Sequence, residues 1–254
     1  MNPLSVVPLT LMLILLGSLT FQRINTPVSG YQHALRGKAS SIALSGIFLT
    51  LAYLLLLPPV YYAVDSVMPL TNATDLISKY CALVAVAFLG GHLSQAYGSS
   101  FARRWAVGAP GAAMLGIVSA GLLWTLMATD APAPSPQLLD YATQPSVRIN
   151  TWLVLLYVAY IVTPLIRPAY LDSKRNPLLI GKAASGMIAG GFGLSLIRAG
   201  SYPAEWYGTK DLAYVYMLVS YASTALVVLG LALFAYARRQ RKAETELGSA
   251  LSID

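Results

Sequence analysis

With 56% hydrophobic and only 11% charged residues among 254, the chain would present an apolar exterior to water. Soluble domains carry roughly 25% charged residues, so the composition excludes an ordinary soluble fold and makes lipid the solvent it fits. The net charge of +7 does not indicate nucleic acid, because the basic residues are scattered over short loops and a tail rather than gathered on one surface.

Apolar segments follow one another near Leu4–Phe21, Ala39–Leu57, Ile77–Tyr97, Val107–Met127, Ile149–Leu165, Gly181–Ile197 and Leu212–Tyr236. At about 1.5 Å rise per residue each crosses most or all of a ~30 Å hydrocarbon layer. The sequence therefore predicts an all-α polytopic membrane protein, a bundle of seven transmembrane helices over residues 1–237 with a short basic-then-polar tail at 238–254.

The first segment has no positive charge before it, so it reads as an uncleaved helix rather than a secretory signal. Lysines and arginines then fall in alternate gaps. Arg23, Arg36 and Lys38 follow the first segment, and Arg103 and Arg104 the third. Arg167, Lys174, Arg175 and Lys182 follow the fifth, and Arg238, Arg239, Arg241 and Lys242 the seventh. The positive-inside rule puts this face in the cytoplasm, with the N-terminus outside and the C-terminus inside. Its neighbours there are the bilayer's anionic headgroups.

Pro58-Pro59 is expected to end or kink the second segment, and Pro164 to do the same near the end of the fifth. The Pro-rich stretch from Thr129 to Val147 is an outer linker or lid, too short for a domain. The triplet Asn72-Ala73-Thr74 is a glycosylation sequon close to the membrane. Gly186 and Gly190, followed by Gly191 and Gly193, form a GxxxG-type face that lets another helix pack closely, and the single cysteine, Cys81, excludes an intrachain disulfide.

Once the cytoplasmic charges are assigned to orientation, Lys79, Arg148, Arg198 and Lys210 remain. Three of these cations lie with Asp65 at the outer ends of apolar segments, where ionisable groups are functional candidates. With Tyr61, Tyr62, Tyr80, Tyr202 and Tyr207 they can form a pocket for a small anionic or zwitterionic ligand, Arg198 or Arg148 gripping a carboxylate or phosphate. The alternative is ordinary: basic residues at helix ends snorkel to headgroups, and Asp65 pairs with Lys79 or caps a helix. His92, beside Gly90 and Gly91, marks a close helix contact that suits an interhelical hydrogen bond more than a proton relay. Two histidines, His33 and His92, on different levels make no metal site. No cofactor motif is present, and the last segment lacks the lysine a retinal protein needs.

The stretch Leu54-Leu-Leu-Leu-Pro-Pro-Val-Tyr-Tyr-Ala-Val-Asp65 and the run from Asn72 to Tyr80 resemble the second-to-third helix connection of an actinobacterial seven-transmembrane family labelled putative transporter. The likeness extends more weakly through Trp152 to Ile161 and Gly186 to Arg198. It implies a bacterial plasma-membrane protein and lends no site residues. The sequence is thus expected to encode a non-enzymatic transporter or ligand-binding protein. A sensor signalling to a cytoplasmic partner and a structural protein without ligand are the alternatives.

Overall fold

The computed structural model describes residues 36–206 and 210–251, together with separate positions between 10 and 20 that are helical. Eight α-helices follow in this part: α1 (Arg36–Leu55), α2 (Pro58–Asp65), α3 (Ala73–Ala96), α4 (Ser100–Val107), α5 (Ala109–Met127), α6 (Pro145–Arg175), α7 (Leu179–Glu205) and α8 (Lys210–Leu251). A 3-10 turn spans Pro136–Tyr141, and no strand occurs among the described residues.

Five of the expected segments are helices long and apolar enough to cross a membrane: α3, α4 continued by α5, α6, α7 and the Val215–Ala237 part of α8. α1 and α2 make a sixth if their bent pair is one span. The remaining expected segment, 4–21, lies largely outside the described residues, as do Arg23 and His33. Large apolar side chains such as Ile117, Trp124, Met127 and Ile197 stand exposed on the outer faces, which suits contact with acyl chains.

Backbone chemistry fixes the breaks. α1 and α2 meet at 86° because Leu57, preceding a proline, is held extended at φ −66°, ψ 126°. Pro58 and Pro59 then occupy the first turn of α2, where no N–H is needed. α4 ends where Gly108 turns extended, and a Cβ there would collide with the Arg104 carbonyl. α6, by contrast, runs on through Pro164 and Pro168 to Arg175, so the expected break at Pro164 does not end the helix.

A mid-helix proline removes the N–H that would reach the carbonyl four residues back. In α6 that carbonyl, Tyr160 O, accepts instead from the Trp105 indole N–H at 3.0 Å. The Tyr160 hydroxyl returns a bond to Trp105 O at 3.2 Å, and the two rings stack with centroids 4.9 Å apart. α7 repeats the device: Pro203 frees Ala199 O, which accepts from the Trp152 indole at 3.2 Å. Hydrocarbon offers no replacement donor, and at Pro164 and Pro203 an indole from a neighbouring helix satisfies the freed carbonyl.

Helix contacts turn on small residues. At Gly90 a Cβ would lie 2.5 Å from Ile161 Cγ2, which brings α3 against α6. α7 meets α8 at Gly191, where a Cβ would stand 2.8 Å from Ser223 O and 2.7 Å from Val227 Cγ2, and at Gly230, 2.7 Å from Ile188 Cγ1. Ser195 and Ser223, 2.6 Å apart through their hydroxyls, both bond to Gly191 O. Gly186 and Gly190, the expected interface pair, are not the close contact. Gly186 meets nothing nearer than Ser173 Cβ at 3.9 Å, and Gly190 meets nothing within 4 Å. Gly191 lies about 100° around the helix from Gly190, and that is the face α8 covers.

The 128–144 connection is packed rather than free. Leu138 is fully buried in a core with Leu76, Leu122 and Val147. Asn72, in the left-handed region at φ 65°, ties the connection down. Its Oδ1 accepts from Tyr61 Oη at 2.8 Å and Ser135 N at 2.7 Å, and its Nδ2 donates to Ala133 O at 3.3 Å. The sequon amide is thus wholly buried and engaged within the fold.

Candidate functional site

α1 packs on α3, while α7 packs between α6 and α8. Between these two groups lies a cavity of about 1090 Å³, with α6 along its length and the 3-10 turn contributing Gln137 and Leu139 at the end nearest the connection. Tyr53 of α1 and Thr224 of α8 both line it.

Among the described lining residues the charged side chains are Asp75, Lys79 and Arg198. Asp75 sits in the first turn of α3, where the N-terminal end of the helix dipole favours a carboxylate, and it is 1% exposed. Lys79, one turn on, places Nζ 2.5 Å from Asp75 Oδ2 and 2.5 Å from Asn150 Oδ1 of α6. Asn150 Nδ2 donates in turn to Thr125 Oγ1 at 2.7 Å and Leu122 O at 3.1 Å. The resulting chain of polar groups joins α3, α6 and α5. Asp75 Oδ1 is buried with no hydrogen-bond partner among the described residues.

Across the cavity, Arg198 of α7 is 7% exposed. Its Nε donates to Ser220 Oγ at 3.0 Å, and its guanidinium lies 5.0 Å from the Tyr202 ring centroid and 5.3 Å from that of Tyr216. Aromatic faces and a hydroxyl hold this cation at membrane depth. Tyr202 lines the same end of the cavity.

The other expected site residues lie elsewhere. Asp65 is buried, and its carboxylate accepts from Asn72 N at 2.9 Å and Thr74 N at 3.1 Å, so it caps α3 rather than pairing with Lys79. Tyr61 is committed to Asn72, and Tyr80 donates to Ser119 O. Tyr62 is exposed. Arg148 donates to Ala142 O and Trp206 O, both at 3.3 Å, and clamps the connection to the end of α7 outside the cavity. His92 is at the opposite end of α3, its Nδ1 3.3 Å from Ser41 Oγ of α1, an interhelical contact. Tyr207 and the side chain of Lys210 lie outside the described residues.

Lys79, Arg198 and Tyr202 thus line the same cavity, joined by Asp75, with Asn150 behind Lys79 as its partner. Asp75 was legible as the acidic partner of Lys79 at i,i+4 spacing, whereas Asn150 carries no local sequence signal. Two cations and one carboxylate at the end of an apolar space can receive a carboxylate or phosphate, with Asp75 offering an acceptor to a neighbouring ammonium or hydroxyl. Comparison of the chain with protein-family models, with curated proteins and with solved structures finds no match.

Proposed function

We propose that this chain is a plasma-membrane transporter or ligand-binding protein, N-terminus outside, whose cavity takes a small anionic or zwitterionic molecule at the Lys79–Arg198 end. One observation carries the reading: among the described residues, the charged side chains lining a largely apolar cavity lie at one of its ends, buried and held by oriented partners. Such preorganised groups bind an ion without the reorganisation a flexible surface charge would need. The seven-transmembrane family that Leu54–Asp65 resembles is compatible with it.

The test uses thermal stabilisation of the full chain in phosphatidylcholine nanodiscs, with hexanoate, γ-aminobutyrate and butyl phosphate as probes. At least one is expected to raise the melting temperature. Arg198→Ala should remove most of that shift, and Arg148→Ala, on the rim, should keep it. No shift with any probe, or a full shift in Arg198→Ala, would overturn the reading.

A second reading is favoured by α8, which continues 14 residues beyond its membrane-spanning part to Leu251. This basic extension suits docking to a cytoplasmic protein partner, as in a sensor subunit. Deleting residues 242–254 separates the two: a self-contained carrier keeps probe-dependent stabilisation and transport, whereas a sensor keeps binding and loses its output.

A further inference from the structure

The length of the cavity and the chemistry of its walls narrow the ligand class. Lining residues on α3 run from Asp75 to Leu89, and on α8 from Met217 to Tyr236. At about 1.5 Å per residue these stretches are roughly 21 and 28 Å long. One leaflet of a ~30 Å hydrocarbon layer, about 15 Å, is what a lipid acyl chain spans. The cavity is therefore as long as a fatty chain and far longer than a sugar or an amino acid.

Its walls below the charged end offer such polar ligands little. Several hydroxyls along the cavity already donate to backbone: Ser45 to Ala85 O at 2.8 Å, Ser78 to Ala52 O at 2.9 Å, Ser223 to Gly191 O at 2.8 Å and Thr224 to Ser220 O at 3.1 Å. Between them stand Leu89, Val162, Phe192, Val227 and Leu231. A hydroxyl-rich solute placed there would bury unpaired polar groups, which is costly. An alkyl chain loses nothing.

Resting on the proposed ligand-binding role, we infer that the natural ligand class is a single-chain amphiphile. Its anionic head, a carboxylate or a phosphate, lies between Lys79 and Arg198, and its tail runs along α3 and α8 past Phe192 and Leu231. Tyr202 and Tyr216 flank the head, and Ala82, one turn below Lys79, and Ala232 are small wall residues past which the tail must slide.

Photolabelling of the full chain in phosphatidylcholine nanodiscs tests this. The probes are hexadecanoate and hexadecyl phosphate, each carrying a diazirine near the methyl end, with the matching hexadecanol as the uncharged control. The expected result is adducts at Leu89, Phe192 or Leu231 with one or both anionic probes and at least tenfold less with hexadecanol. Labelling by either anion supports the proposal and identifies the head as carboxylate or phosphate. Arg198→Gln should lower cavity labelling at least fivefold. Ala82→Phe should block the tail, and Ala232→Phe repeats the block from the other wall if the first variant does not fold.

Adducts confined to lipid-facing Ile117 and Trp124 would show bilayer contact only and overturn the proposal. Equal labelling by hexadecanol would do the same. If hexanoate stabilises the chain as well as hexadecanoate, and both alanine-to-phenylalanine variants leave that unchanged, the acyl-chain inference fails while the anion-binding role stands. If no anion, short or long, acts on the chain, both fail.

Discussion

Asn72 is a residue at which a small substitution should cost the fold heavily. In Asn72→Ala two buried donors, Tyr61 Oη and Ser135 N, lose their common acceptor. Tyr61 is fully buried and Ser135 is 1% exposed, so water does not replace it. Each orphaned group costs about 1–3 kcal/mol, giving roughly 2–6 kcal/mol together. The Ala133 carbonyl is not orphaned, because Tyr141 Oη also donates to it at 3.1 Å. The backbone adds a separate contribution: at φ 65° an alanine is strained by about 1–2 kcal/mol, whereas glycine is not. Asn72→Gly should therefore be the milder change although it removes more atoms. At about 3 °C per kcal/mol for a chain of this size, Asn72→Ala should melt roughly 9–24 °C below wild type, with Asn72→Gly some 3–6 °C above Asn72→Ala. Tryptophan-fluorescence melting in nanodiscs measures both. Melting of Asn72→Ala within about 3 °C of wild type, or a glycine variant less stable than the alanine one, would contradict this account of Asn72.

The pairing of Trp105 with the carbonyl freed by Pro164 predicts a specific coupling. Trp105→Phe should destabilise by about 1–3 kcal/mol, and by about 1 kcal/mol less in a Pro164→Ala background, where a restored N–H satisfies Tyr160 O; additive melting shifts in the double-mutant cycle would exclude the link. The glycines of α7 should separate cleanly. Gly191→Ala drives a methyl into Ser223 O and should part α7 from α8, while Gly190→Ala meets open space and should be neutral or stabilise by about 0.5–1 kcal/mol. Equal melting temperatures for the two would show that the interface is placed wrongly.

The apolar segments were legible because a membrane helix needs a long run of uncharged residues, a property of composition rather than of contacts. Pro58-Pro59 was legible as a break for a similarly local reason, the exclusion of Leu57 from helical geometry. Azimuth was not legible. Arg148 and Arg198 stand at the same end of the bundle, yet one faces the cavity and the other its rim, and that choice is made by how α6 and α7 rotate against their neighbours. The same rotation decides for Gly191 over Gly186 and Gly190, which share its small-residue signature. Trp105 and Tyr160, 55 positions apart, show the remaining difficulty, since a proline announces a freed carbonyl but not the donor that reaches it.

The seam between the α1–α3 group and the α7–α8 group has a mechanical meaning. Serine side chains tie each pair internally, Ser45 to Ala85 O and Ser78 to Ala52 O in one and Ser223 to Gly191 O in the other, while α6 runs along the cavity between them. Leu93 of α3 shares an apolar core with Ile188, Phe192 and Val227, so any tilt of one group against the other is resisted there. Such a tilt would also bend α6, whose two internal prolines already lack the backbone bonds that resist bending.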